Sequence, residues 1–118
     1  MIAPSAAQIR DALGVPVTFA LSDQPWSFRV ASADDGEPLG VTVWVAEHPD
    51  TVTVTVIAET QAGVRFRSEQ SGAQRLSVSR DDPQIVVDFA HDGSATQLLI
   101  TLRPTFRIEE RRSNSPVT

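Results

Sequence analysis

The sequence predicts an all-β domain: an antiparallel β-sandwich or barrel of about eight or nine short strands, preceded by one short helix. Three observations carry this. From Val17 onward, apolar residues alternate with polar ones, the period of a strand with one buried face. The breaks between these runs are rich in Gly, Pro, Asp and Ser, the residues that make tight turns. Strand and helix patterns do not alternate, so a parallel α/β sheet is disfavoured.

The helix is expected over Ser5 to Leu13. Ser5 is suited to cap it, Ala6, Ala7, Gln8 and Arg10 are good helix formers, and Ile9 and Leu13 share a face. Gly14 suits its C-terminal cap and Pro16 stops it. A helix this short is marginal alone, so it must dock on its own sheet or on a partner.

The strands follow in order. Val17, Phe19 and Leu21 open the series. Trp26, Phe28 and Val30 come next, then Val41, Val43 and Val45, then Val52, Val54 and Val56. Val64 and Phe66 alternate with Arg65 and Arg67, and Leu76 and Val78 with Arg75 and Ser77. Ile85, Val87 and Phe89, then Leu98, Ile100 and Leu102, then Phe106 and Ile108 complete the inward set. Trp26, Phe28, Val43, Val54, Phe66, Val87, Phe89 and Ile100 are the predicted core. Turns are expected at Asp34 to Pro38, His48 to Asp50, Gln61 to Gly63, Gln70 to Gly72, Asp81 to Pro83 and His91 to Gly93. Three regions result: a helical segment 1–14 docking on the domain or a partner, a single β domain 15–111, and a flexible tail 112–118.

Composition narrows the function classes. The chain of 118 residues is the size of one domain. It has no cysteine, and all ten basic residues are arginine, so disulfides, thiol nucleophiles, Schiff-base lysines and a P-loop lysine are excluded. The formal charge of −5 makes nucleic acid an unfavoured partner. No apolar run approaches the roughly 18 residues a membrane span needs, and no secretory signal is seen. A cytoplasmic protein, or part of an assembly built in the cytoplasm, is expected.

No motif specifies a chemistry. His48 and His91 show no metal-ligand spacing and read as polar loop residues. The acidic clusters at Asp34-Asp35-x-Glu37 and Asp81-Asp82 lack calcium-loop spacing and suit turns. Serine-nucleophile and nucleotide-loop motifs are missing. No metal and no cofactor are expected. Asp88, alone in an apolar run, calls for a partner, and an arginine is expected there. Arg29, Arg65, Arg67, Arg75, Arg103 and Arg107 all fall in strand patterns, while most acids fall in turns. An arginine-bearing sheet face ringed by acidic loops is one reading; arginines paired across strands to Thr, Glu59, Glu69 or Glu109 is the plainer one.

The candidate binding residues are Trp44, Arg65, Arg67, Thr53 and Thr55, all on outward parity. Tryptophan and arginine are favoured anchors at protein interfaces. Three functions are weighed. The leading one is a non-enzymatic structural or protein–protein interaction module, with a protein partner or self-association, comparable in type to a subunit or adaptor of a phage virion. A small-ligand or glycan-binding module would use Trp44 and the threonine face. An enzyme would need a dispersed site around His48 or His91.

Overall fold

A computed structural model describes residues 2–14, 17–20, 26–34, 36–80, 83–91, 93–103 and 105–114. Among the described residues one helix, α1 (Ala6–Leu13), precedes nine strands. These are β1 (Val17–Ala20), β2 (Trp26–Asp34), β3 (Glu37–Glu47), β4 (Val52–Thr60), β5 (Gly63–Ser71), β6 (Ala73–Ser79), β7 (Gln84–His91), β8 (Ser94–Thr101) and β9 (Arg107–Asn114).

The helix forms as its sequence dictates. Ser5 Oγ accepts from the Gln8 backbone N–H at 3.2 Å, and the Ser5 N–H donates to Gln8 Oε1 at 2.8 Å. This reciprocal box satisfies two N-terminal donors. Gly14 closes the other end at φ +61°, its N–H donating to the Arg10 carbonyl at 3.2 Å. Ile9 and Leu13 enter the same core as the strands, so the helix docks on its own domain.

Strand order in space follows strand order in sequence. A five-stranded sheet runs β1-β2-β3-β4-β5 and a four-stranded sheet runs β6-β7-β8-β9, with every pairing antiparallel. Sandwich and barrel were both open from the sequence; the described strands form two separate sheets around one core. The sheets are joined at Gly72, the one residue between β5 and β6. The turn expected over Gln70 to Gly72 thus narrows to a single glycine.

The period-two reading of the core holds except at Val64, which the alternation sets inward but which is 60% exposed, because β5 shifts register opposite Ala58/Glu59 and turns it to the side of Glu59. Phe28, Val43, Val54, Val87, Phe89 and Ile100 are buried, and Phe66 is half-buried against them. The Trp26 side chain lies outside the described residues. Each buried Val, Leu, Ile or Phe contributes roughly 1.5–3 kcal/mol of transfer free energy, largely offset by chain entropy. Leu99 departs from the pattern: it has outward parity yet is 7% exposed, with Val86 and Glu109 as its cross-strand neighbours.

Three expectations need correction. Asp88 takes its hydrogen bond from the Gln97 side-chain amide at 2.9 Å rather than from an arginine, although register sets both Gln97 on β8 and Arg75 on β6 opposite it. Arg103 lies past the end of β8, where the chain bends, and not in a strand. Strand pairing continues to Asn114, beyond the expected end at Arg111. There β9 pairs with the regular ladder of β8, so backbone hydrogen bonds hold a segment without apolar alternation. Residues 115–118 lie outside the described residues.

The sheet edges are guarded. Ile2 bridges β6: its N–H donates to the Gln74 carbonyl at 3.0 Å and its carbonyl accepts from Leu76 at 2.8 Å. β5 carries an irregularity opposite Ala58/Glu59, and β9 displays Arg107, Glu109, Glu110, Arg111 and Arg112. Bulges and charges at edges discourage pairing with other chains.

Candidate functional site

Four of the five candidate residues, Trp44, Thr53, Thr55 and Arg67, share the outer face of the five-stranded sheet, while Arg65 falls at the register shift of β5 and is skipped by the ladder. Register places them in rows. Ser27, Trp44, Thr55 and Glu69 lie in one row across β2 to β5, and Arg29, Thr42, Ile57 and Arg67 in the next. Thr53 and Ser71, paired across β4 and β5, share a hydroxyl hydrogen bond at 2.9 Å. Trp44 is 38% exposed, the outward orientation that its parity requires. Its cross-strand neighbour Ser27 is buried.

The arginines of this face do not form a free cationic patch. Arg29 reaches Glu59 at 2.9 Å, Arg65 reaches Glu37 at 2.9 Å and Arg67 lies 3.8 Å from Glu69. The pairing between strands read from the sequence is found for Glu59, whereas Glu69 lies near Arg67 of its own strand β5 and Glu109 pairs with Arg111 of its own strand β9. All three pairs are exposed, so each contributes about 0–1 kcal/mol. Their effect is to cancel charge locally. Gly40 makes the first pair possible. A Cβ there would lie 2.6 Å from the Arg29 Cζ, so the missing side chain lets Arg29 cross β3 to reach β4.

Sequence reasoning missed a second feature. A groove of about 920 Å³ opens at the end of the sheets, between the turn that follows β3 and the β5–β6 crossover. Glu47, His48 and Asp50 line one side, and Gly72, Gln74 and Ala90 the other. The turn is closed by the His48 N–H donating to the Thr51 carbonyl at 2.9 Å. Ala90 precedes His91, so the two histidine-bearing loops fall at the same end of the fold. The His91 side chain lies outside the described residues. A signal for the groove existed in the turn residues around Pro49 and Gly72, but only the strand order brings them together.

Among the described residues no group of three or more His, Asp or Glu is placed to hold a metal ion. Glu37, from the first acidic cluster, is engaged by Arg65. Asp35, Asp81 and Asp82 lie outside the described residues. No helix among the described residues is long and apolar enough to cross a membrane.

No protein-family model matches the sequence, and a search of curated proteins finds no match. The fold does have a solved counterpart. A chain of the contact-dependent growth inhibition toxin–immunity protein complex from Klebsiella pneumoniae 342 superposes with a TM-score of 0.69, over 95% of this chain and 96% of that one, at 12% sequence identity. At that identity the likeness is one of fold.

Proposed function

We propose that this chain is a non-enzymatic protein-binding module, working as one member of a two-protein complex. The observation that carries the reading is its near-complete fold likeness to a chain of a toxin–immunity complex, a protein whose solved form is a complex with another protein. The chain's own features support it. Its outer sheet face combines an exposed tryptophan, half-buried Ile57 and locally neutralised arginines, the residue types that anchor interfaces. Its acidic balance favours a basic partner. The comparison with virion subunits rests on compactness and missing motifs alone, whereas the fold likeness favours a binary complex.

The test begins with the immobilised chain and an extract of its own cells. The captured protein is identified, purified and remixed with the chain. A complex of fixed stoichiometry is expected. Trp44→Ala with Arg67→Ala should weaken it at least about 30-fold, the effect of losing a hot-spot contact of about 2 kcal/mol, with an unchanged melting temperature. Full binding by the double variant would remove this face from the interface. A glycan array that selects one sugar through Trp44 would replace the protein partner with a carbohydrate.

A further inference from the structure

We infer that β5 pairs edge to edge with β5 of a second copy of this chain, antiparallel about a two-fold axis at Ser68, joining two five-stranded sheets into one. The contact involves this chain alone and stands apart from the protein-binding reading above.

The edge is available. β5 ends the five-stranded sheet, and no described residue pairs with its far side. None of its residues is buried. Its irregularity lies at Arg65, close to the hairpin turn, so Phe66 to Ser71 run in unbroken register with Ala58 to Thr53 of β4. The bulge guards one end of the strand and leaves the other open. β1 has only four residues, and Ile2 already bonds the outer side of β6 at Gln74 and Leu76.

The backbone of β5 points the right way. The Gly72 N–H donates to the Val52 carbonyl at 3.0 Å, at the end of the β4–β5 ladder. Ladder bonds recur at every second residue of an antiparallel strand, so Gln70, Ser68 and Phe66 turn their N–H and C=O groups to β4. Those of Arg67 and Glu69 therefore face outward.

Charge then selects the occupant and its register. Directly opposed residues share a face of the sheet, so two identical antiparallel strands meet about an axis through one residue position. Centred on Arg67, two guanidinium groups would oppose each other; centred on Glu69, two carboxylates would. Centred on Ser68, Arg67 of each copy lies opposite Glu69 of the other, and each such pair exchanges both backbone hydrogen bonds through the outward groups. Opposite charges across strands stabilise a pairing and like charges oppose it. Both side chains are free to turn outward: they are 65% and 60% exposed, and their contact within β5 is 3.8 Å, too long for a hydrogen bond. β9, the other long edge, is not self-complementary. An axis at Glu109 or Glu110 opposes two carboxylates, and one at Arg111 or Arg112 opposes two guanidinium groups.

Sedimentation equilibrium of the full chain over a range of concentrations tests this. A reversible monomer–dimer equilibrium is expected, rising toward twice the 12.8 kDa of one chain. Arg67→Glu and Glu69→Arg each set like charges in both opposed pairs, and each should weaken the dimer at least about ten-fold. The double variant Arg67→Glu with Glu69→Arg reverses the pairs without losing them, and should recover dimerisation to within about three-fold of the parent. The two single variants mixed in equal amounts should form a mixed dimer, since each supplies the charge the other lacks. The control Arg111→Glu, an equal charge change on β9, should alter the equilibrium less than about two-fold. The substituted side chains are exposed, so all variants should melt at the parent temperature. A chain that stays monomeric up to about 1 mM would overturn the inference. So would a dimer indifferent to both single variants, one that the double variant fails to restore, or one that Arg111→Glu weakens as much as Arg67→Glu does. Each of these readings uses the chain by itself, so none of them bears on capture of a different protein.

Discussion

Gly72 is the joint between the two sheets, and replacing it with alanine should cost far more than its size suggests. The residue sits at φ +89°, in the region that L side chains rarely adopt, and that strain alone is worth about 1–3 kcal/mol. A Cβ at this position would also stand 2.6 Å from the Ala90 carbonyl oxygen. That oxygen is backbone, inside β7, so it cannot swing aside as a side-chain tip would. Relief requires the crossover to shift, weakening the hydrogen bonds from Gly72 to Val52 and from Ala90 to Gly72, each about 1 kcal/mol. The total is about 2–4 kcal/mol. For a domain of this size that lowers the melting temperature by about 8–16 °C. The control is Gly36→Ala. Gly36 has φ +83° but nothing within 4 Å of the added Cβ, so it isolates backbone strain. Thermal unfolding followed by circular dichroism reads both variants. Equal losses would refute the clash argument, and an unchanged melting temperature for Gly72→Ala would refute the conformation itself.

Two further substitutions test packing. Val54→Asp places a carboxylate at a site 1% exposed, at a cost of several kcal/mol, which takes most of the stability of a domain this size; the expected outcome is insoluble or unfolded protein. A soluble variant melting at the parent temperature would mean that β4 is out of register by one residue. Gly40→Ala displaces only the exposed tip of Arg29, so losing the Glu59 pair, about 0–1 kcal/mol, is met by a similar gain in strand preference, and the melting temperature should move by less than about 4 °C. A loss as large as that of Gly72→Ala would show that the Arg29 crossing holds the sheet together.

The two substitutions at Gly40 and Gly72 differ in an instructive way. Both glycines admit a neighbour where a Cβ would stand. At Gly40 the neighbour is a guanidinium that solvent also accommodates. At Gly72 it is the main chain of the opposite sheet. The distinction follows from the surface against the joint, and nothing in the local sequence around either glycine announces it.

What the sequence determined by itself was local. The alternation of Val41-Thr42-Val43-Trp44-Val45 decides that Trp44 faces outward, because successive side chains on a strand point to opposite faces. Ser5, Gln8 and Gly14 write both ends of α1, because caps act within one turn. Only the tertiary structure decided which strands share a sheet. Two meanders of five and four strands, rather than a closed barrel, place β5 beside β6 at one glycine and so create the end groove. It also decided partners. Asp88 meets Gln97, not an arginine, and Arg29 meets Glu59 across an intervening strand, since such pairings depend on register between segments that the chain separates. The tail shows the same limit. Residues 111–114 have no apolar period of their own, yet β8 recruits them, because a sheet edge offers backbone hydrogen bonds to any sequence that reaches it.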